Sequence, residues 1–205
     1  MALTTFVAGN VLTAAQLNDS FAAVGGLRAI VPTSVTVTGA GSSASVGANG
    51  LITFSTAESV SINGVFSSAF RNYAFVGDAD SSAATPSMYT RLRVGGADNS
   101  TANAYVAQRI TGNNTTVGGG RVTSTQWDVG STFASVSTNG FSGNFYRPFL
   151  ADTTAMEIKV ADSESSGYFI SAIGTHNQNT SYDGFTLIMS TGNMTGTLVI
   201  YGYFG

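Results

Sequence analysis

From residue 31 onward, apolar and polar residues tend to alternate with period two, the mark of strands that bury one face. Arg91-Leu92-Arg93-Val94 and Glu157-Ile158-Lys159-Val160 show it most cleanly. The pattern predicts strands at residues 35–38, 51–54, 60–66, 73–77, 89–94 and 104–110. Further strands are predicted at 122–129, 145–149, 156–160, 168–173, 185–190 and 197–204. Gly, Asn, Asp and Ser clusters at 39–43, 97–101, 112–116, 118–120 and 191–193 separate them as turns. Gly118-Gly119-Gly120 reads as a tight or mobile loop, because glycine permits positive φ. The stretch 39–50 reads as a mobile loop or a poorly alternating strand. Many short strands and no second long helix predict a mostly β fold: a short N-terminal helix, then an antiparallel β-sandwich, jelly-roll-like.

Residues 1–30 follow a different rhythm and divide from a β-sandwich domain at 31–205. Thr13 and Gln16 form a Thr-x-x-Gln capping box, and Leu12 and Leu17 a hydrophobic staple. The helix is expected over residues 14–24, ended by Gly25-Gly26. Ala14, Leu17, Phe21 and Val24 give it a heptad seam. So short a helix is marginal alone and needs a partner. That partner is either its own β domain or the same helix in sister chains, with Leu12, Leu17, Phe21 and Val24 as anchor or oligomer contacts.

Composition narrows the function. Charged residues are only 9% of the chain, and Lys159 is the single lysine. Serine, threonine and asparagine take the place of charges, which suits a surface that faces other subunits. At 43% hydrophobic and 11% aromatic the chain is too apolar for disorder. A net charge of −3 with no basic stripe excludes nucleic acid as an expected partner. No apolar run reaches the ~20 residues of a membrane span. The absence of Lys or Arg before Arg28 argues against a signal peptide. Synthesis in a cytoplasm, without export by a signal of its own, is therefore expected. Without cysteine there is no disulfide, thiolate metal site or cysteine nucleophile.

Three stretches carry a resemblance. Thr5-Phe6-Val7-Ala8-Gly9-Asn10-Val11-Leu12-Thr13-Ala14-Ala15-Gln16-Leu17-Asn18 resembles a segment that opens many phage tail-fibre and minor virion proteins. Ser59-Val60-Ser61-Ile62-Asn63-Gly64-Val65-Phe66, with Phe70-Arg71-Asn72-Tyr73, is similar to the first core hairpin of phage tail-fibre β-sandwich domains. Gly196-Thr197-Leu198-Val199-Ile200-Tyr201-Gly202-Tyr203 is similar to their closing strand. The resemblance covers about a quarter of the chain. It implies a non-enzymatic virion protein, usually trimeric: a short tail fibre or receptor-binding appendage. A capsid decoration or cement protein is the alternative, and a carbohydrate-binding module or depolymerase a lesser one. Implied partners are a homotrimer of the chain, other tail, collar or capsid proteins, and a host surface glycan. No functional residue is transferred, and tail fibres usually add a shaft that this chain lacks.

Candidate chemistry is sparse. His176, in Thr175-His176-Asn177-Gln178-Asn179, reads as an exposed loop residue, since no paired carboxylates flank it. Asp78-Ala79-Asp80-Ser81 lacks the closing Glu of a calcium loop and reads as a solvated turn. No catalytic residue, metal site or cofactor is expected. The aromatics remain open between core, subunit interface and ligand site. Phe145 and Tyr146 cluster near Arg147-Pro148, Tyr201 and Tyr203 crowd the last strand, and Trp127 sits among polar neighbours.

Overall fold

The computed structural model describes residues 26–83, 86–131, 139–161 and 168–203. The predicted helix and its contacts Leu12, Leu17, Phe21 and Val24 lie outside these residues. The described residues are mostly β, in two antiparallel sheets, with no helix among them. In chain order the strands are β1 (Arg28–Ile30), β2 (Ser34–Thr38), β3 (Ser43–Val46), β4 (Ile52–Ala57), β5 (Ser59–Asn63) and β6 (Asn72–Ser81). Then follow β7 (Ser87–Val94), β8 (Ala97–Asp98), β9 (Tyr105–Asn113), β10 (Thr116–Ser124) and β11 (Trp127–Ser131). The last are β12 (Asn139–Tyr146), β13 (Thr154–Ala161), β14 (Phe169–His176), β15 (Gly184–Met189) and β16 (Met194–Tyr203).

The larger sheet has ten strands in the order β10-β9-β14-β13-β12-β6-β16-β4-β3, with β1 also paired to β16. The smaller has six in the order β11-β7-β15-β5-β2, with β8 paired to β7. The chain passes back and forth between them: β4 and β6 lie in the large sheet, β5 and β7 in the small one. The β4-to-β5 crossing leaves only Glu58 between the two strands. A register irregularity between β4 and β16 surrounds Thr56, whose φ is +53°. Such bulges let a strand turn a corner from one sheet into the next.

A shared core joins the two sheets in a sandwich-like arrangement. Phe185 of the small sheet packs between Phe75 and Phe145 of the large one, at centroid distances of 5.8 and 5.0 Å. Phe66 stacks on Phe185 at 5.9 Å, and Trp127 lies 6.1 Å from Phe145. Each ring removes a large apolar area from water. Two glycines make room for these rings. A Cβ on Gly143 would lie 2.4 Å from the Phe75 ring, and one on Gly77 2.5 Å from the Phe141 ring.

Several expectations need correction. The predicted strand at 122–129 is two strands in different sheets, β10 and β11, parted at Thr125-Gln126. The strand expected at 145–149 lies earlier, at Asn139–Tyr146, because Arg147 takes a φ of +61° and Pro148 follows. Gly118-Gly119-Gly120 is not a loop: it pairs with Thr111, Ile110 and Arg109 as part of β10. The two-residue turn Asn114-Thr115, with Asn114 at φ +56°, closes that hairpin instead. The 39–50 stretch contains strand β3.

Candidate interaction surface

The two sheets present very different faces to solvent. On the small sheet most outward positions are polar, Tyr89 and Ile188 being the large exceptions, and many of them are bonded to each other. Arg93 donates through Nη1 to Ser61 Oγ at 3.0 Å and Thr186 Oγ1 at 2.8 Å, and through Nε to Asn63 Oδ1 at 2.9 Å. It also forms an ion pair with Asp98. Thr38 and Ser59 hydroxyls meet at 2.7 Å. This is the usual antiparallel pattern, apolar inward and polar outward.

The outer face of the large sheet departs from that pattern. Strand pairing places its outward residues in rows across the sheet. One row runs Val117, Gly112, Phe169, Ala161, Gly140, Asp78, Thr197. The next runs Gly119, Ile110, Ser171, Lys159, Ser142, Val76, Val199. The third runs Arg121, Gln108, Ile173, Glu157, Asn144, Ala74, Tyr201. Val76 (53%), Ile110 (53%), Val117 (74%), Phe169 (46%) and Ile173 (62%) are all substantially exposed on this one face. Apolar groups so placed mark an interaction surface more often than a solvated one.

A shallow trough of about 560 Å³ crosses the first two rows. Phe169 walls one side and Val76 the other, with Lys159, Ser142, Ser171 and Gly140 between. The Phe169 ring leans on Gly112, where a Cβ would fall 2.1 Å from it. Nothing lies within 4 Å of a Cβ built on Gly140, so the trough floor is open there. Glu157 and Lys159 sit two residues apart on β13, both outward, and form no ion pair among the described residues.

The sequence-predicted aromatics divide by strand parity. Trp127 and Phe145 are fully buried in the core and unavailable to a ligand or partner. Tyr146, one residue on, faces outward, as do Tyr201 and Tyr203 on β16, and all three are half-buried. Tyr203 Oη donates to Asn144 Oδ1 at 3.4 Å, and Asn144 Nδ2 donates to Glu157 Oε1 at 3.0 Å. Burial, with the neighbouring Glu157 carboxylate, raises the pKa of both Tyr146 and Tyr203. These phenols therefore stay neutral and add to an apolar surface with polar tips.

His176 also departs from expectation. It is the last residue of β14, faces inward and is fully buried. Its ring stands edge-on to Tyr105 at 4.2 Å and Tyr182 at 5.2 Å, with Trp127 6.2 Å away. Nδ1 accepts from the Gln178 amide at 3.4 Å and lies 3.3 Å from Tyr182 Oη, while Nε2 has no partner. Burial lowers its pKa to about 4. Asp78 is no solvated turn residue either: it lies within β6, and its carboxylate accepts from the Thr197 hydroxyl. Among the described residues, no group of three or more His, Asp or Glu gathers as a metal site. No described helix is long and apolar enough to cross a membrane.

The outward apolar set on β9, β10 and β14 was missed by sequence reading. Its trace was present in Phe169-Ile170 with Ile173, where one short strand carries large apolar residues on both faces. Large apolar residues on both faces are commonest in strands whose two faces are both packed against something. Comparison with protein-family models, with curated proteins and with solved structures gave no match to the chain.

Proposed function

We propose that this chain is a non-enzymatic structural protein of a bacteriophage particle, most simply a short tail fibre or receptor-binding appendage that works as a trimer. The observation that carries the self-associating part is the uncovered face of the large sheet, where Val76, Ile110, Val117, Phe169 and Ile173 lie together with few charges. A free monomer gains nothing from such a face, whereas a subunit does. The phage assignment rests on the resemblance of residues 5–18, of 59–66 with 70–73, and of 196–203 to tail-fibre proteins. A jelly-roll description of the β domain is favoured by the strand order. The run β4-β16-β6-β12 in one sheet, beside β5-β15-β7-β11 in the other, is what two wound Greek keys produce.

In this reading the leading residues attach the subunit to the particle, and the loops of the β domain meet a host surface. Threefold assembly multiplies weak glycan contacts. The reading is tested by light scattering on the purified full-length chain, with an expected mass three times that of the protomer. Quantitative mass spectrometry of particles completes the test. Copy numbers in the tens match a tail fibre, hundreds match a capsid decoration protein, and absence from particles rejects both.

A further inference from the structure

We infer that the outer face of the large sheet docks a second copy of this chain, with Ile173 and Ile110 of one copy entering the Phe169–Val76 trough of the next. The inference rests on the self-association proposed above and names the surface responsible.

Three observations select a second copy as the occupant. The first is area. The outward face from β9 to β16 spans six strands of about eight residues, roughly 750 Å² at ordinary strand spacing. A stable interface needs about 800 Å² from each partner, so this face suffices with little added at its edge. The second is charge. Glu157 and Lys159 are opposite charges on one strand, about 6.6 Å apart along it, and neither has an ion-pair partner among the described residues. A face carrying both signs side by side suits a second copy of itself, because Glu157 of one copy can meet Lys159 of the next around the threefold axis. A strongly basic or acidic partner would leave one of them facing a like charge. The third is shape. The exposed Ile173 and Ile110 stand beside a trough whose floor at Gly140 is open, so one face offers both the projection and the recess.

The small sheet provides the contrast. Its outward Arg93 is already bonded to Ser61, Asn63, Thr186 and Asp98 and has nothing left to offer a partner.

Carbodiimide cross-linking tests the inference directly, because Lys159 is the only lysine of the chain. A mixture of ordinary and 15N-labelled full-length protein is to be coupled, digested and examined by mass spectrometry. The expected product is a mixed-isotope peptide joining Lys159 of one copy to Glu157 of another. Light scattering gives the second arm. Phe169→Glu with Ile173→Glu is expected to reduce the mass to that of the protomer, with an unchanged circular dichroism spectrum. Val94→Glu, an exposed site at the end of β7, serves as control and leaves the oligomer intact. E157K and K159E are each expected to weaken association several-fold, and the double exchange to restore it. An oligomeric wild type that yields no such peptide and ignores both face variants overturns this docking face but leaves self-association standing. A monomeric wild type overturns both.

Discussion

A neutral imidazole inside an aromatic box makes stability depend on pH. His176 is buried with its pKa lowered to about 4, against an ordinary value near 6.5 when unfolded. Between those values the unfolded chain binds a proton that the folded chain refuses. The stability that His176 permits is therefore fully present above pH ~6.5 and is lost as pH falls toward ~4, by up to about 3 kcal/mol. Below that the contribution levels off. Urea midpoints measured from pH 7.5 to 4 are expected to fall across this window, and in His176→Gln the fall should be much shallower. NMR titration of the single imidazole should give a midpoint near 4. A midpoint at 6 or above would mean that the ring is hydrated.

At the level of strands, parity decides which residues matter. Glu157-Ile158-Lys159-Val160 was legible from sequence: Ile158 and Val160 are in the core, while Glu157 and Lys159 face out. The same parity makes two glycines of β12 behave oppositely. A Cβ on inward Gly143 would lie 2.3 Å from the Glu157 carbonyl oxygen as well as 2.4 Å from Phe75. On outward Gly140 it meets nothing within 4 Å. Gly143→Ala is expected to cost about 2 kcal/mol or more, because strands β12 and β13 must part to admit the methyl. Gly140→Ala should be neutral or stabilising by about 0.5 kcal/mol, because it narrows the unfolded ensemble. Thermal melts of the two variants check the assigned faces, and equal losses would contradict them. What sequence could not give was sheet membership. Trp127 follows β10 after a two-residue break, yet it belongs to the other sheet, and no local pattern around Thr125-Gln126 announces the switch. Burial of Trp127 and His176 was illegible for the same reason. Their sequence neighbours are polar, and the Tyr105 ring that packs against both comes from a distant part of the chain. The interaction face was half legible: alternation places Phe169 and Ile173 on one side of β14, but only the assembled sheet brings Val76, Ile110 and Val117 alongside.

At the scale of the whole molecule, low charge sets how an assembly should respond to solvent. With charged residues at 9% and a net charge of −3, copies neither repel strongly nor attract through opposed fields. The proposed contact buries Val76, Ile110, Phe169 and Ile173 around one Glu157–Lys159 pair, and an exposed pair of that kind contributes at most about 1 kcal/mol. Raising sodium chloride from about 0.05 to 1 M shortens the Debye length to ~3 Å and removes most of that pair. It leaves the apolar contribution intact. The oligomer is therefore expected to keep its mass across this range, losing affinity by no more than several-fold, and sulfate should tighten it by strengthening apolar burial. Light scattering along a dilution series in each salt measures this. Dissociation in chloride would show that charge holds the copies together, and the cohesive surface would then have to be sought among the ionised side chains.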